Sequence, residues 1–160
     1  MFKHILAPVD GSATSLAAVD KAAELAKVFG AVVTAVYVID PYPFTGVGSE
    51  FAYGQDQYLN AARAEARAAL EGAAKRLQDA GVQAETRVIE SHAVWRGVIE
   101  AIEACGADLV VMGSHGRRGL ERLVLGSVTQ SVLSHSKIST LVVRTPAAAA
   151  RRPTFSCSPP

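Results

Sequence analysis

Residues 32–39 read Val-Val-Thr-Ala-Val-Tyr-Val-Ile, a run that holds only apolar, aromatic and β-branched side chains. Such a run is typical of a strand that is covered on both faces of a sheet. Similar runs begin at Ile5 and at Leu109, whereas residues 82–90 alternate apolar with polar side chains. This contrast predicts that the alternating strand lies at an edge of the sheet. A fifth run follows at residues 141–143.

Alanine-rich segments with helical periodicity separate these runs. They predict helices over residues 12–29, 55–80, 93–105 and 127–135, of which the first three end at a glycine. Strands that alternate with helices need crossovers, and these cover both faces of a mostly parallel sheet. The sequence therefore predicts a doubly wound, Rossmann-like α/β fold with five parallel strands in the order 3-2-1-4-5. A ligand crevice is expected between the carboxyl ends of strands one and four.

Composition limits the class of protein. The chain has 160 residues, of which 49% are hydrophobic and 19% charged, and this suits one globular domain. Its net charge of +1 favours neither a nucleic-acid partner nor an anionic membrane. We expect no secretory signal or membrane span. Cys105 and Cys157 match no metal or redox spacing, which suits a reducing compartment, and the expected location is cytoplasmic.

The loop after the fourth run holds the residues of a candidate phosphate site, namely Gly113, Gly116, Arg117, Arg118, Gly126 and Ser127. The first two glycines let the backbone turn tightly and approach a ligand, and the last two residues open a helix whose first amides lack intrahelical partners. The helix dipole and the arginines favour an anion there. The alternative is that the glycines only turn the chain, the serine only caps its helix and both arginines are solvated.

Asp10 follows strand one across the predicted crevice, where it could accept hydrogen bonds from ribose hydroxyls. Ser12 and Thr14 are available to cap the first helix, which would leave the carboxylate free for a ligand. Val9 and Val38 lie near the carboxyl ends of adjacent strands. They either form an apolar slot for a base or belong to the core.

Other catalytic and binding motifs are missing from the sequence. It contains neither a Walker loop, nor G-x-G-x-x-G, nor G-x-S-x-G. Ser114 and His115 are adjacent, but no acid is obviously placed to orient the ring, so we assign no catalytic residue. A metal centre built by the protein is not expected, although Mg²⁺ or Mn²⁺ could accompany a triphosphate.

Two segments stand outside this frame. Residues 41–54 are rich in proline, glycine and aromatic side chains, which is consistent with a lid, a partner surface or a surface loop folded onto the sheet edge. Residues 147–160 lack the composition of a core, and we expect a disordered tail after a domain that spans residues 1–146.

Over residues 1–146 the chain resembles the universal stress protein (UspA-like) family, and specifically its ATP-binding branch. The resemblance rests on residues 5–12, 37–40, 106–116 and 141–144, and above all on the motif G-x2-G-x9-G-[ST]. This motif is present as Gly113, Gly116, Gly126 and Ser127. The resemblance implies an adenine nucleotide alpha hydrolase-like fold and a regulatory, stress-response protein that binds ATP, with ADP, AMP and cyclic AMP as alternatives.

In similar proteins the motif holds the ribose and phosphates, the aspartate after strand one meets the nucleoside, and a residue of strand two lies against adenine. The positions that inherit these roles are Pro8, Val9, Asp10, Val38, Met112, Gly113, Gly116, Gly126, Ser127 and Val128. The family also forms homodimers through its last strand, here Ser139 to Arg144. Two alternatives stay open, namely a slow ATPase or self-phosphorylating protein that uses Ser114, Ser127 or His115, and a dimeric interaction module without nucleotide.

Overall fold

The structure is a computed structural model that describes residues 1–41, 49–117 and 125–145, with side chains in the second range from residue 54 onward. The predicted tail at 147–160, residues 42–48 of the predicted loop at 41–54, and Arg118 lie outside the described residues. Within the described part of the chain, no helix has the length and hydropathy of a membrane span.

The described residues form a five-stranded parallel sheet in the order β3-β2-β1-β4-β5, which confirms the predicted fold class and strand order. Strands and helices alternate along the chain as β1 His4–Pro8, α1 Ala13–Phe29, β2 Val32–Ile39, α2 Ser49–Asp79, β3 Ala84–Glu90, α3 Val94–Cys105, β4 Leu109–Gly113, α4 Ser127–His135 and β5 Ser139–Val143.

Helices cover both faces of the sheet because successive strand residues point to opposite sides. Ile5 packs with α1 and α2, whereas its neighbour Leu6 packs with α3 and α4, and both side chains are 0% exposed. Burial of each such side chain stabilises the fold by about 1.5–3 kcal/mol. We call the two sides the α1/α2 face and the α3/α4 face.

Strand β3 lies at the edge of the sheet, as its alternating sequence predicts. Six of its seven residues are exposed, and Val88 is 49% exposed. The charged side chains Glu85 and Arg87 along it are of the kind that protects an edge strand from pairing with another chain.

Helix α2 begins at Ser49, well before the predicted start at Gln55. The prediction was wrong because Gly54 and the aromatic residues before it have the composition of a loop. A glycine inside a helix costs only about 1 kcal/mol relative to alanine, which a helix of 31 residues tolerates. The other helices begin and end within one residue of their predicted bounds.

Candidate functional site

The carboxyl ends of β1, β2 and β4 meet at one edge of the sheet, because β1 pairs in parallel with both of its neighbours. Asp10 follows β1, and Gly113 ends β4. The order of the strands therefore brings the two halves of the predicted crevice side by side, as expected at a topological switch point.

Gly113 and Gly116 are required by contacts within the protein. A Cβ atom on Gly113 would lie 2.9 Å from Thr14 Cγ2, and one on Gly116 would lie 2.5 Å from Asp10 Oδ2. The loop after β4 therefore rests directly against the turn between β1 and α1. A close approach to a ligand is a separate use of these glycines that the same geometry permits.

Helix α4 begins at the predicted residue, Ser127, with Gly126 as its N-cap and with no hydrogen bond from a capping side chain. The amide of Gly126 donates to Ser114 O at 2.8 Å, and the buried hydroxyl of Thr129 donates to Gly113 O at 3.0 Å. The first turn of α4 is thereby fixed against the glycine loop. Its free amides and its dipole provide favourable partners for an anion.

The Asp10 carboxylate links the turn between β1 and α1 to the glycine loop after β4. Oδ1 accepts the Ser12 amide at 2.9 Å, and Oδ2 accepts the Arg117 amide at 3.0 Å. Burial opposes its ionisation, but hydrogen bonds from Ser12, Ser15 and Arg117 outweigh burial and lower the pKa of Asp10 below its ordinary value. Ser12 caps α1 as predicted, but the Asp10 carboxylate still accepts hydrogen bonds within the protein. It retains lone pairs for a further donor, because a carboxylate offers about four acceptor positions.

The Arg117 side chain lies towards β2 and α2. Its Nε donates to Asp10 O at 2.6 Å, and its Nη1 donates to Glu65 Oε2 at 2.7 Å. Nη2 lies 3.5 Å from the hydroxyl of Tyr37. The hydrogen bond to Glu65 raises the pKa of Arg117, so the guanidinium stays charged, while burial raises the pKa of Tyr37. Sequence inspection placed this cation near the phosphates, and the contact with Glu65 was not anticipated.

The apolar candidates divide between the core and the crevice. Val9 and Met112 are buried in the α1/α2 and α3/α4 faces, respectively, so their side chains serve the core. Pro8, Val38 and Val128 are partly exposed, and Ser127 is exposed. Val38 is the only candidate of strand β2 and lies on the α3/α4 face, on the same side of the sheet as α4.

Comparison with known proteins identifies the family of the chain. The model of the universal stress protein family matches residues 1–144. The chain belongs to the universal stress protein family. It is 37% identical to universal stress protein MJ0531 of Methanocaldococcus jannaschii over 146 residues, which make up 91% of this chain and 84% of that relative.

Solved structures of similar universal stress proteins share the fold. Protein MJ0577 of Methanocaldococcus jannaschii has a TM-score of 0.79 at 28% identity, with 91% of this chain and 97% of that chain covered. A universal stress protein solved in complex with cAMP has a TM-score of 0.67 at 27% identity, and the match covers 90% of this chain and 98% of that one.

Gly97 is a residue of this universal stress protein that sequence reasoning missed. A Cβ atom on Gly97 would lie 2.6 Å from Val38 Cγ1, so this glycine lets α3 approach β2 beside the candidate base contact. A glycine in the interior of the predicted helix at 93–105 was the available signal, because such a residue costs about 1 kcal/mol unless packing requires it.

Ser114 and His115 form a hydrogen bond between neighbours, with Ser114 Oγ 2.8 Å from His115 Nδ1. Ser114 is 1% exposed, and the buried His115 Nε2 has no hydrogen-bond partner within residues 1–41, 49–117 and 125–145. A nucleophile needs access to its substrate and a base that is oriented by a third group. Ser114 is buried, and among the residues that the structure describes no third group orients His115 through Nε2.

Proposed function

We propose that this chain binds an adenine nucleotide, in the first place ATP, at the carboxyl edge of its sheet. One observation carries the proposal: the N-cap of α4 is a glycine, which has no side chain to cap the helix, and the first turn of α4 is fixed against the Gly113–Gly116 loop. The glycine loop thus lies beside the first turn of α4, with the amides of that turn and the positive end of its helix dipole. Phosphate groups are the natural occupants.

The rest of the nucleotide extends from α4 towards β2. The ribose lies near the Asp10 carboxylate, which has acceptor positions left, and the base lies against the exposed part of Val38. A similar protein in complex with cAMP supports an adenine nucleotide as the ligand class. ADP and AMP present the same groups to the site, and Mg²⁺ or Mn²⁺ would arrive on the phosphates of ATP.

The bound nucleotide serves regulation in this proposal. Burial of Ser114 and the unpartnered Nε2 of His115 favour a binding protein over an enzyme. Occupancy then changes a surface that a partner protein reads in a stress response in the cytoplasm. The edge strand β5 is that surface in a homodimer, where Leu141 is 38% exposed and the buried Thr140 hydroxyl has no hydrogen-bond partner in the described part of the chain. Sedimentation velocity of the purified chain measures this association.

The experiment begins with mass spectrometry of any ligand released from the freshly purified protein, followed by calorimetry with ATP. The informative variant is Gly126→Ala, because a Cβ atom there has its nearest neighbour at 3.4 Å and points at the space between the loop and α4. We expect affinity on the order of micromolar for the unmodified chain. The added methyl group should weaken it by about tenfold, since overpacking costs about 1–3 kcal/mol.

Gly72→Ala is the matched control, because a Cβ atom at that position of α2 has no neighbour within 4 Å. It should bind ATP as the unmodified chain does. Equal affinity of the folded Gly126 and Gly72 variants would contradict the proposed position of the phosphates. A chain that releases no nucleotide and shows no heat with saturating ATP would instead favour the dimeric interaction module.

A further inference from the structure

The guanidinium of Arg117 is held on the opposite side of the sheet from the start of α4. Glu65, which accepts from Nη1 at 2.7 Å, lies on α2, and Tyr37, whose hydroxyl lies 3.5 Å from Nη2, packs against the α1/α2 face. Helix α4 packs on the α3/α4 face. The cation that directly follows Gly116 is therefore directed away from the space between the glycine loop and α4.

A carboxylate and a phosphate compete for the same guanidinium, because both offer paired oxygens that match its donors. The side chains of Arg117 and Glu65 are 45% and 55% exposed. Ion pairs at such exposure are weak and exchange partners at small cost. When the side chain turns it also gives up the hydrogen bond from Nε to Asp10 O, whereas the bond from the Arg117 amide to the Asp10 carboxylate keeps the loop in position.

We propose that Glu65 and Arg117 form a latch that opens when a nucleotide with more than one phosphate occupies the site, which makes Glu65 a determinant of the preference between ATP and AMP. The inference rests on the proposed nucleotide site. The single phosphate of AMP is satisfied by the amides of α4 and leaves the latch closed. The additional negative charge of ATP draws Arg117 from Glu65 and releases the contact between the glycine loop and α2.

Linkage fixes the direction of the effect. A ligand that must break the ion pair between Glu65 and Arg117 binds more tightly once a substitution has removed that pair, and the gain equals the free energy of the pair. A ligand that leaves the pair intact gains nothing. For a pair at this exposure the gain is about two- to fivefold. Replacement of Glu65 should therefore improve ATP binding by that factor at unchanged AMP binding, and replacement of Arg117 should weaken ATP binding.

The test is calorimetry with ATP and with AMP, both with Mg²⁺, on the unmodified chain and on Glu65→Gln, Arg117→Gln and the double variant. We expect the ratio of the AMP Kd to the ATP Kd to rise about two- to fivefold in Glu65→Gln and to fall in Arg117→Gln. The double variant should show the ratio of Arg117→Gln, because Glu65 acts only through Arg117.

Glu71→Gln is the matched control, since it removes the same charge from an exposed position further along α2. An equal change in that variant would show a general effect of charge and overturn the latch. So would a Glu65→Gln variant whose two affinities change by the same factor or remain unchanged. Binding of ATP and AMP by the unmodified chain tests the site itself. If nucleotide binds and the ratio of the two Kd values is the same in every variant, the latch alone fails; if neither nucleotide binds, the proposed function fails as well.

Discussion

Helices α1 and α4 start beside each other at the same edge of the sheet, after the neighbouring strands β1 and β4, yet their first turns differ. In α1 the N-cap Ser12 accepts the Ser15 amide through its own side chain. In α4 the N-cap is Gly126, which has no side chain with which to cap the helix. The N-cap residue of α1 thus bonds to an amide of its own helix through its side chain, whereas the N-cap residue of α4 cannot.

Availability alone does not make a binding site. Helix α3 also begins without a side-chain cap, at Ala93, but it follows the edge strand β3. What distinguishes α4 is its position, with its first turn bonded to Gly113 and Ser114 in the glycine loop. The comparison teaches that the contact with the glycine loop, rather than the helix end by itself, distinguishes the start of α4.

The largest expected effect on stability comes from the contact between Gly116 in the glycine loop and Asp10 in the β1–α1 turn. In Gly116→Ala the new Cβ atom would lie 2.5 Å from Asp10 Oδ2, so the loop or the carboxylate must move. We expect the free energy of unfolding to fall by about 1–3 kcal/mol, as is usual for overpacking. Denaturant unfolding measures it, with Gly72→Ala as the control. An unchanged free energy of unfolding would show that the glycine loop packs less closely against the β1–α1 turn than the 2.5 Å distance indicates.

The next largest effect concerns the Asp10 carboxylate, which accepts hydrogen bonds from both the β1–α1 turn and the glycine loop. The folded protein lowers the pKa of Asp10 from its ordinary value of 3.8, so the stability that this group contributes is fully present above that value and is lost as the pH falls through the lowered pKa. Asp10→Asn should therefore cost about 1 kcal/mol at neutral pH, the scale of one hydrogen bond. Unfolding of both proteins across pH 2–7 measures the difference, which should shrink towards the acid end. A difference that grows in acid would contradict the lowered pKa.

The order of the strands could be predicted because it depends on local patterns. Val33 and Val36 are buried on opposite faces of β2, and a continuous apolar run already indicates such burial. The exposed Val88 belongs to the one strand whose sequence alternates. The G-x2-G-x9-G-[ST] spacing likewise predicts the position of the loop after β4 and the start of α4.

The contacts of individual site residues could not be predicted, because they join distant parts of the chain. Nothing near Arg117 in the sequence indicates that its partner is Glu65, 52 residues away. Asp10 seemed free once Ser12 was available as a cap, but its partner Arg117 is 107 residues away. The first pair depends on the register of α2 against the sheet and the second on the conformations of the loops after β1 and β4, and a single sequence encodes neither in a local pattern.

The smallest expected effect bears directly on the two helix starts. Ser12→Ala removes the oxygen that caps α1 and should lower the free energy of unfolding by about 1 kcal/mol. Ser127→Ala makes the same chemical change in the first turn of α4, where the serine side chain is exposed and no side chain caps the helix, and should alter stability by less than about 0.5 kcal/mol.

The pair of variants separates the two roles when stability and ATP binding are measured together. Ser12→Ala should leave the affinity nearly unchanged, because α1 uses its cap within the protein. Ser127→Ala should weaken ATP binding by several-fold at unchanged stability, because a hydroxyl beside the free amides of α4 donates to the phosphates and contributes about 1 kcal/mol. If Ser127→Ala destabilised the fold as much as Ser12→Ala does, the hydroxyl would act as a cap, and α4 would satisfy its own terminus as α1 does.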